Sequence, residues 1–403
     1  MLLEAEAERT WLVGGGLRTP WTYRDLARAL TNPAGGFSPE PTVASVLAGI
    51  TRAVCRGEDL ELNYDPLSRE EPQVGEAAAH GDHTEISGIL PDARWRQNAS
   101  RVRLQTSGTT AAPRIVTHTV RDLARAVVVG ERHQADVWAL AFNPTHIGGI
   151  QVYLQALANR NTTVNLWGVG RDEALRRCRA WQVTHLSATP TFFRLLLPLG
   201  AAIESVKSIS LGGEALDAAL FEKLQAAFPA AKIHNIYAST EAGTLLKADG
   251  LEFVISPELQ GRIQIREGRL WVHQSLLGQF EDAAEWYDSG DAVEGIPGQG
   301  ERFRILGRFQ AGINVGGEKV NPHEVEEALL QHPNVGAVRV YGRRNSVTGR
   351  LVMADVVRAD GNPSESELRN YLGRMLPAYK VPRLIRFVDS LDLTGTGKVA
   401  RRE

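Results

Sequence analysis

The chain has 403 residues, 43% of them hydrophobic, with 45 lysines and arginines against 47 aspartates and glutamates. That is a globular composition long enough for two or three cores, and a net charge of −2 gives no reason to expect nucleic acid or an anionic membrane as a partner. The two cysteines, Cys55 and Cys178, are too few for a disulfide framework or a four-ligand zinc site.

The N-terminal MLLEAEAERTW carries acids where a signal peptide needs bases, and no run is long and apolar enough to span a bilayer. The expectation is a cytoplasmic protein. WTYRDLARAL (21–30) and VASVLAGITRAVCR (43–56) read as helices, and 63–100 reads as loop-heavy. From residue 101 strands alternate with helices. RVRLQ, VWALAFNP, TTVNLW, VTHLSATP, VKSISLGG and KIHNIYAS are the strands, and IQVYLQALANR, RDEALRRCRAW, PTFFRLLLPL and DAALFEKLQAAF are helices between them. Such alternation predicts a mainly parallel sheet with helices on both faces. RIQIREGRLWVHQ then reads as an antiparallel hairpin about Glu-Gly. Glycine, proline and charge cluster in DAVEGIPGQGERF, and a small α+β unit follows, with helices PHEVEEALL and SESELRNYLGRML and strands GAVRVYG, LVMADVVRA and LIRFVD.

Four stretches carry chemistry. In QTSGTTAAPR, Thr106, Ser107, Thr109 and Thr110 offer hydroxyls, Gly108 permits close backbone approach, and Arg114 can neutralise charge, all of which suits phosphate. A plain Ser/Thr-rich loop between a strand and the next helix fits the composition as well. A Walker loop is excluded: the Gly397-Lys398 pair has Asp392 in place of the first glycine and Val399 in place of Ser or Thr. NIYASTEAG closes a predicted strand, where open parallel sheets bind ligands. Tyr237 there can stack on a base, Thr240 can bond phosphate and Glu241 can hold Mg²⁺ through oxygen; a turn around a packed tyrosine is the alternative. WYDSGD places Asp291 where it can accept ribose hydroxyls, or forms an ordinary Asx-turn. Arg308 in GRFQ is a forked donor, and Lys398 sits on the glycine-flanked segment TGTGKV.

In their order and spacing, TSGTTAAPR, YASTE, YDSGD, GRFQ…GGEKVNPHEVE and TGTGKV resemble the AMP-forming adenylating superfamily of acyl- and aryl-CoA ligases, peptide-synthetase adenylation domains and luciferases. THIGG (145–149) and LGGEAL (211–216) support the likeness, which covers roughly residues 101–403. The resemblance implies an α/β fold: a large N-terminal domain of mainly parallel sheets with a β-rich subdomain (1–308, shortened before residue 101), and a small mobile α+β lid (309–403).

It also implies ATP- and Mg²⁺-dependent activation of a small aromatic or medium acyl acid as acyl-AMP, followed by transfer to the thiol of CoA. Transfer to a carrier-protein pantetheine or an amine, and a silent adenylate-binding homologue, are the alternatives. By similarity, residues 106–114 hold the outer phosphates, Thr240 and Glu241 handle the α-phosphate and Mg²⁺, and Tyr237, with Ala238 and Ser239, lies against adenine. Gly213 and Glu214 border the nucleotide, Asp291 and Arg308 fix the ribose, His146 stands at the acid-pocket mouth, and Lys398 is the catalytic lysine. Arg103, His118 and Gln151 are candidate contacts for a second polar group on the acid. Arg114 where relatives favour Lys, Gln310 at the hinge and Asn314 where many carry Lys are departures. The compactness is similar to that of o-succinylbenzoate–CoA ligases.

Overall fold

A computed structural model describes residues 9–14, 19–31, 42–62, 97–105, 114–281, 284–297, 301–308, 312–315, 318–345, 349–359, 361–394 and 398–400. The hydroxyl-rich Thr106, Ser107, Gly108, Thr109 and Thr110, the hinge residue Gln310 and the 63–96 segment lie outside them. The first strands are β1 (Thr10–Val13), β2 (Trp21–Thr22), β3 (Leu60–Leu62), β4 (Arg101–Gln105) and β5 (Ile115–Thr119). Next come β6 (Val137–Leu140), β7 (Thr162–Asn165), β8 (His185–Ala188), β9 (Ser208–Gly212), β10 (Lys232–Ser239) and β11 (Gly243–Ala248).

Eight of these make one sheet in the order β11-β10-β9-β8-β6-β7-β1-β2. Its six inner strands are parallel, and β2 and β11 are antiparallel edges. Most of the strands are short and largely buried, and the parallel ones are covered on both faces, as parallel strands must be. Leu140 faces a core shared with helices Tyr23–Thr31, Val43–Arg56 and Ile147–Ala158. Its neighbours Ala139 and Ala141 face a second core with helices Arg171–Ala180, Pro190–Leu196 and Ala218–Ala227. The chain runs from β6 outward to β7, then hops back across β6 to β8. That reversal opens a crevice at the strands' C-terminal ends, the usual ligand position in open α/β sheets.

RVRLQ is a correction to the expected sheet. As β4 it pairs β3 and β5 in a separate three-stranded sheet, and the segment after it leads to the antiparallel strand β5 rather than to a helix. The expected hairpin forms from β12 (Ile263–Arg266) and β13 (Arg269–His273), with Glu267 and Gly268 both at positive φ, 50° and 70°. β14 (Trp286–Gly295) and β15 (Phe303–Arg308) extend it to four antiparallel strands packed over β11.

The last unit has its own core. β16 (Ile313–Val315), β17 (Glu318–Val320), β18 (Val335–Asn345), β19 (Gly349–Arg358) and β20 (Leu384–Phe387) form its sheet, covered by helices Pro322–Leu330 and Glu365–Leu372. Among the described residues no helix is long and apolar enough to cross a membrane.

Candidate active site

The crevice is built from the ends of four strands. After β6 the chain turns at Asn143, whose side chain accepts from the Thr145 amide and hydroxyl at 2.9 Å each, and His146 becomes the N-cap of helix Ile147–Ala158. After β8, Thr189 caps helix Pro190–Leu196 by accepting from the Phe192 amide. After β9, Gly213 takes a φ of +84°, a conformation that side chains disfavour. A Cβ on Gly213 would lie 3.2 Å from Lys398 Cε, 3.5 Å from its Nζ and 3.9 Å from Thr189 Cγ2. The lysine of the C-terminal unit therefore lies flush on this bare backbone.

Burial lowers the pKa of Lys398, while the charges of Glu214, Asp291 and Glu241 act to raise it and Arg308 to lower it further. His146 is pushed down to about 4, first by burial and then by the Lys398 charge. It is a neutral imidazole at physiological pH. Glu214 is committed locally, accepting from the Thr191 amide and hydroxyl at 2.9 and 3.0 Å. Its charge still faces Lys398.

After β10 comes the turn carrying Thr240 and Glu241, and three consecutive carbonyls of that turn are gripped from different elements. His118 on β5 hydrogen-bonds to Thr240 O at 2.7 Å, the Gly278 amide donates to Glu241 O at 2.7 Å, and Arg125 Nη2 donates to Ala242 O at 2.8 Å. Because a carbonyl only accepts, His118 carries its proton on Nε2. Burial lowers the pKa of His118, which keeps the ring neutral. Ser239 Oγ accepts from the Ala242 amide at 3.2 Å. The turn is thereby fixed from behind, with its backbone oxygens committed to the protein. Tyr287 donates to Glu241 Oε1 at 3.2 Å, and burial followed by the Glu241 charge pushes that phenol up to about 12. The Tyr287 ring meets Phe280 edge-on at 5.5 Å, and Arg114 lies 5.3 Å over Phe280. This brings the exit of the 106–114 segment alongside Glu241.

Asp291 and Arg308 stand opposite each other on β14 and β15, with Arg308 Nε 3.3 Å from Asp291 Oδ1. Tyr237 donates to Asp291 Oδ2 at 2.7 Å, and Arg308 Nη1 donates to Ser289 O at 2.6 Å. Burial, then the Asp291 charge, raises the pKa of Tyr237 well above its usual value. The two aspartates of WYDSGD have separate jobs. Asp288 accepts from the Gly290 amide at 2.9 Å and from Arg269 at 2.6 Å, the local turn, whereas Asp291 faces the crevice side chains.

His146, Glu214, Tyr237, Glu241, Asp291 and Arg308 thus gather with Lys398 of the C-terminal unit around one crevice. Tyr287, Phe280, Thr189 and Arg125 were not singled out in the sequence; of these only Tyr287, inside WYDSGD, carried a signal. Gln151 accepts from Thr244 at 2.9 Å behind the turn, and Arg103 lies 3.9 Å from Glu61 on the three-stranded sheet. At the other end of the sheet, where β6 and β8 begin, His133, Asp136 and His185 also gather. There His133 Nδ1 lies 2.9 Å from Asp136, Arg132 donates to His133 Nε2 at 3.0 Å, and Thr184 meets His185 Nδ1 at 2.9 Å, so these polar atoms serve one another.

The fold and this crevice define an adenylating enzyme. Residues 49–263 match the AMP-binding enzyme family and residues 324–398 match the AMP-binding enzyme C-terminal domain, and the chain belongs to that family. Among curated relatives it is 26% identical to an oxalate–CoA ligase of Arabidopsis thaliana, over 74% of this chain and 66% of that one. It is 26% identical to a 4-coumarate–CoA ligase-like protein of Oryza sativa over 94% and 77%. The match to a 2-succinylbenzoate–CoA ligase of Bacillus licheniformis is also 26%, over 74% and 68%. The chain thus spans about two thirds to three quarters of these relatives' lengths. In fold it is similar to the o-succinylbenzoate CoA synthetase of Bacillus subtilis in complex with its acyl-adenylate, with a TM-score of 0.67 at 20% identity, covering 99% and 96% of the two chains. ATP-bound MatB of Rhodopseudomonas palustris gives 0.67 at 20%, covering 98% and 94%.

Proposed function

We propose that this chain joins a carboxylic acid to AMP at the expense of ATP, releasing pyrophosphate, and then passes the acyl group to the thiol of CoA. The observation that carries the reading is the Lys398 ammonium resting on Gly213 between the charges of Glu214, Asp291 and Glu241. A carboxylate attacking a triphosphate brings two anions together, and cations fixed in advance offset the charge that develops. In this reading a carboxylate oxygen bonds to the α-phosphorus, the bond to the β-phosphate oxygen breaks, and pyrophosphate leaves with the electron pair. Lys398 bridges the acid and the α-phosphate. Thr240 donates to the same phosphate, and the pinned turn holds it there. Tyr237, Ala238 and Ser239 border the adenine, Asp291 accepts from the ribose, and Arg308 steadies Asp291.

The donor set also suits a divalent cation. Glu241 presents hard carboxylate oxygen at a strand end, and Mg²⁺ is commonly bound by one or two carboxylates together with phosphate oxygens and water. When bound, Mg²⁺ would neutralise phosphate charge. His146, neutral and half-buried, offers the acid's end of the crevice a polar wall without a second positive charge. The chain divides into 1–308, bearing the nucleotide residues, and 309–403, a lid that brings Lys398 in for the first half-reaction and withdraws it for the second. The names of the relatives favour a small aromatic or dicarboxylic acid.

The test is acid-dependent ATP–pyrophosphate exchange over a panel of aryl and alkyl acids, followed by mass detection of the CoA thioester. Exchange with no acid of the panel would refute the activation step. Adenylate without thioester at high CoA would move the acceptor to a carrier-protein pantetheine or an amine. Lys398→Ala is expected to slow exchange by about 10²–10³-fold, the scale of one lost transition-state charge. It should spare transfer from a supplied acyl-adenylate.

A further inference from the structure

Lys398 belongs to a segment that returns after β20, and the structure shows what holds that segment to its own unit. Asp355 on β19 stands directly opposite Arg339 on β18 and, on its other side, Arg386 on β20. Asp355 is fully buried and Arg339 is 2% exposed. Arg339 Nε and Nη2 donate to Asp355 Oδ2 at 3.2 and 2.7 Å. Arg386 donates to both carboxylate oxygens at 2.9 Å, and the Tyr341 hydroxyl lies 3.3 Å from Oδ1. Burial alone would raise the Asp355 carboxyl, but the hydrogen bonds from Arg386 and Arg339 outweigh it and hold the pKa below the usual range. The ladder is a fixed, charged platform.

One edge of the Arg339 guanidinium is turned away from Asp355. Its Nη1 donates to the backbone oxygen of Ala400 at 3.0 Å and lies 3.5 Å from the Asp392 carboxylate. Those two residues close a small loop around Lys398. The Ala400 amide donates to Asp392 O at 2.8 Å, the Thr394 amide to Lys398 O at 2.7 Å, and the Lys398 amide to Thr394 Oγ1 at 3.2 Å. Leu393 and Val399 form an antiparallel bridge. A single planar side chain thus joins the sheet to both strands of the loop, a span that suits a guanidinium's fork and not a lysine's point charge.

We propose that Arg339, locked by Asp355, is a positioning residue that aims Lys398 at the crevice. This rests on the adenylation reading for its catalytic consequence, though not for its structural one. A displacement of about 1 Å in a reacting group costs on the order of 10²-fold in rate, so a loosened strap should show mainly in the step that needs Lys398.

The experiment compares Arg339→Met, Arg339→Lys and a chain truncated after Lys398, which leaves the buried pair intact and removes Ala400. Acid-dependent ATP–pyrophosphate exchange should fall about 10- to 100-fold in all three, with kcat lowered more than the KM for ATP is raised, while conversion of supplied acyl-adenylate and CoA to thioester stays within twofold. Without nucleotide or acid, acetic anhydride should label the Lys398 amine roughly tenfold faster than in the native chain, read by peptide mass, the scale of one lost charge-assisted hydrogen bond. Equal losses in both half-reactions, or unchanged labelling of Lys398 in the truncated chain, would overturn the proposal. If the native chain shows no exchange with any acid, the functional reading falls while the labelling still decides the strap.

Discussion

Two aspartates in this molecule each face an arginine squarely across a strand pair, and they serve opposite ends. Asp291 and Arg308 meet at 3.3 Å with the arginine side chain 63% exposed, whereas Asp355 and Arg339 meet at 2.7 Å with side chains 0% and 3% exposed. At the buried pair the carboxylate is bonded by two guanidiniums and a phenol. At the open pair Tyr237 and Arg308 hold it from two sides at the crevice edge. Burial demands full satisfaction of a charge, because an uncompensated buried ion costs several kcal/mol. Partial exposure permits spare hydrogen-bonding capacity, and a ligand site needs that. The same residue pair on the same kind of strand is a rivet in one place and, on the adenylation reading, a socket in the other.

Asp355→Ala breaks the rivet and leaves two arginines facing each other. It should lower unfolding free energy by about 3–5 kcal/mol in urea titrations, the scale for removing one partner of a buried pair. A loss under about 1 kcal/mol would erase the contrast. Asp291→Ala should instead cost less, about 1–3 kcal/mol, the scale for leaving the buried Tyr237 hydroxyl without its acceptor. It should raise the KM for ATP roughly tenfold or more, as expected for losing hydrogen bonds to a charged acceptor. Normal nucleotide kinetics in that variant would remove Asp291 from the ribose role.

His146 sharpens the comparison, since here burial is not opposed by a carboxylate. Its folded pKa of about 4 lies below an unfolded value of about 6.5. Between these values the unfolded chain binds the proton first, so this group's contribution is complete above the unfolded pKa and is lost as pH falls from about 6.5 toward 4. His146→Gln should remove a slope of at most about 1.4 kcal/mol per pH unit across that window, seen by comparing unfolding free energies of the two chains. Parallel pH profiles would show that the imidazole takes up its proton alike in the folded and unfolded chains.

Much of this was legible in the residues. The Glu-Gly hairpin announced itself because alternating runs flank a turn pair with a glycine, the residue that most readily takes left-handed backbone. Thr240 and Glu241 follow a strand end that a hydrophobic run delimits, while Asp291 lies inside β14, and it was the order of the motifs, through the family resemblance, that singled all three out. What stayed hidden depends on pairing. RVRLQ has the alternation of any half-buried strand, and nothing local says which sheet it joins. His118 reads from the sequence only as a candidate contact for the acid, and only the meeting of two sheets at the turn gives it Thr240. Arg339 and Asp355 alternate with apolar neighbours and so read as facing water. The strand register and the returning tail are what turn that face into an interior.

One small feature has a wide reach. At Gly213 the lysine stem lies only 3.2 Å from where any other residue's first carbon would sit. A methyl group introduced there would act as a doorstop: the stem would have to back away from this bare backbone, and the amine at its end would shift without a single charge being altered.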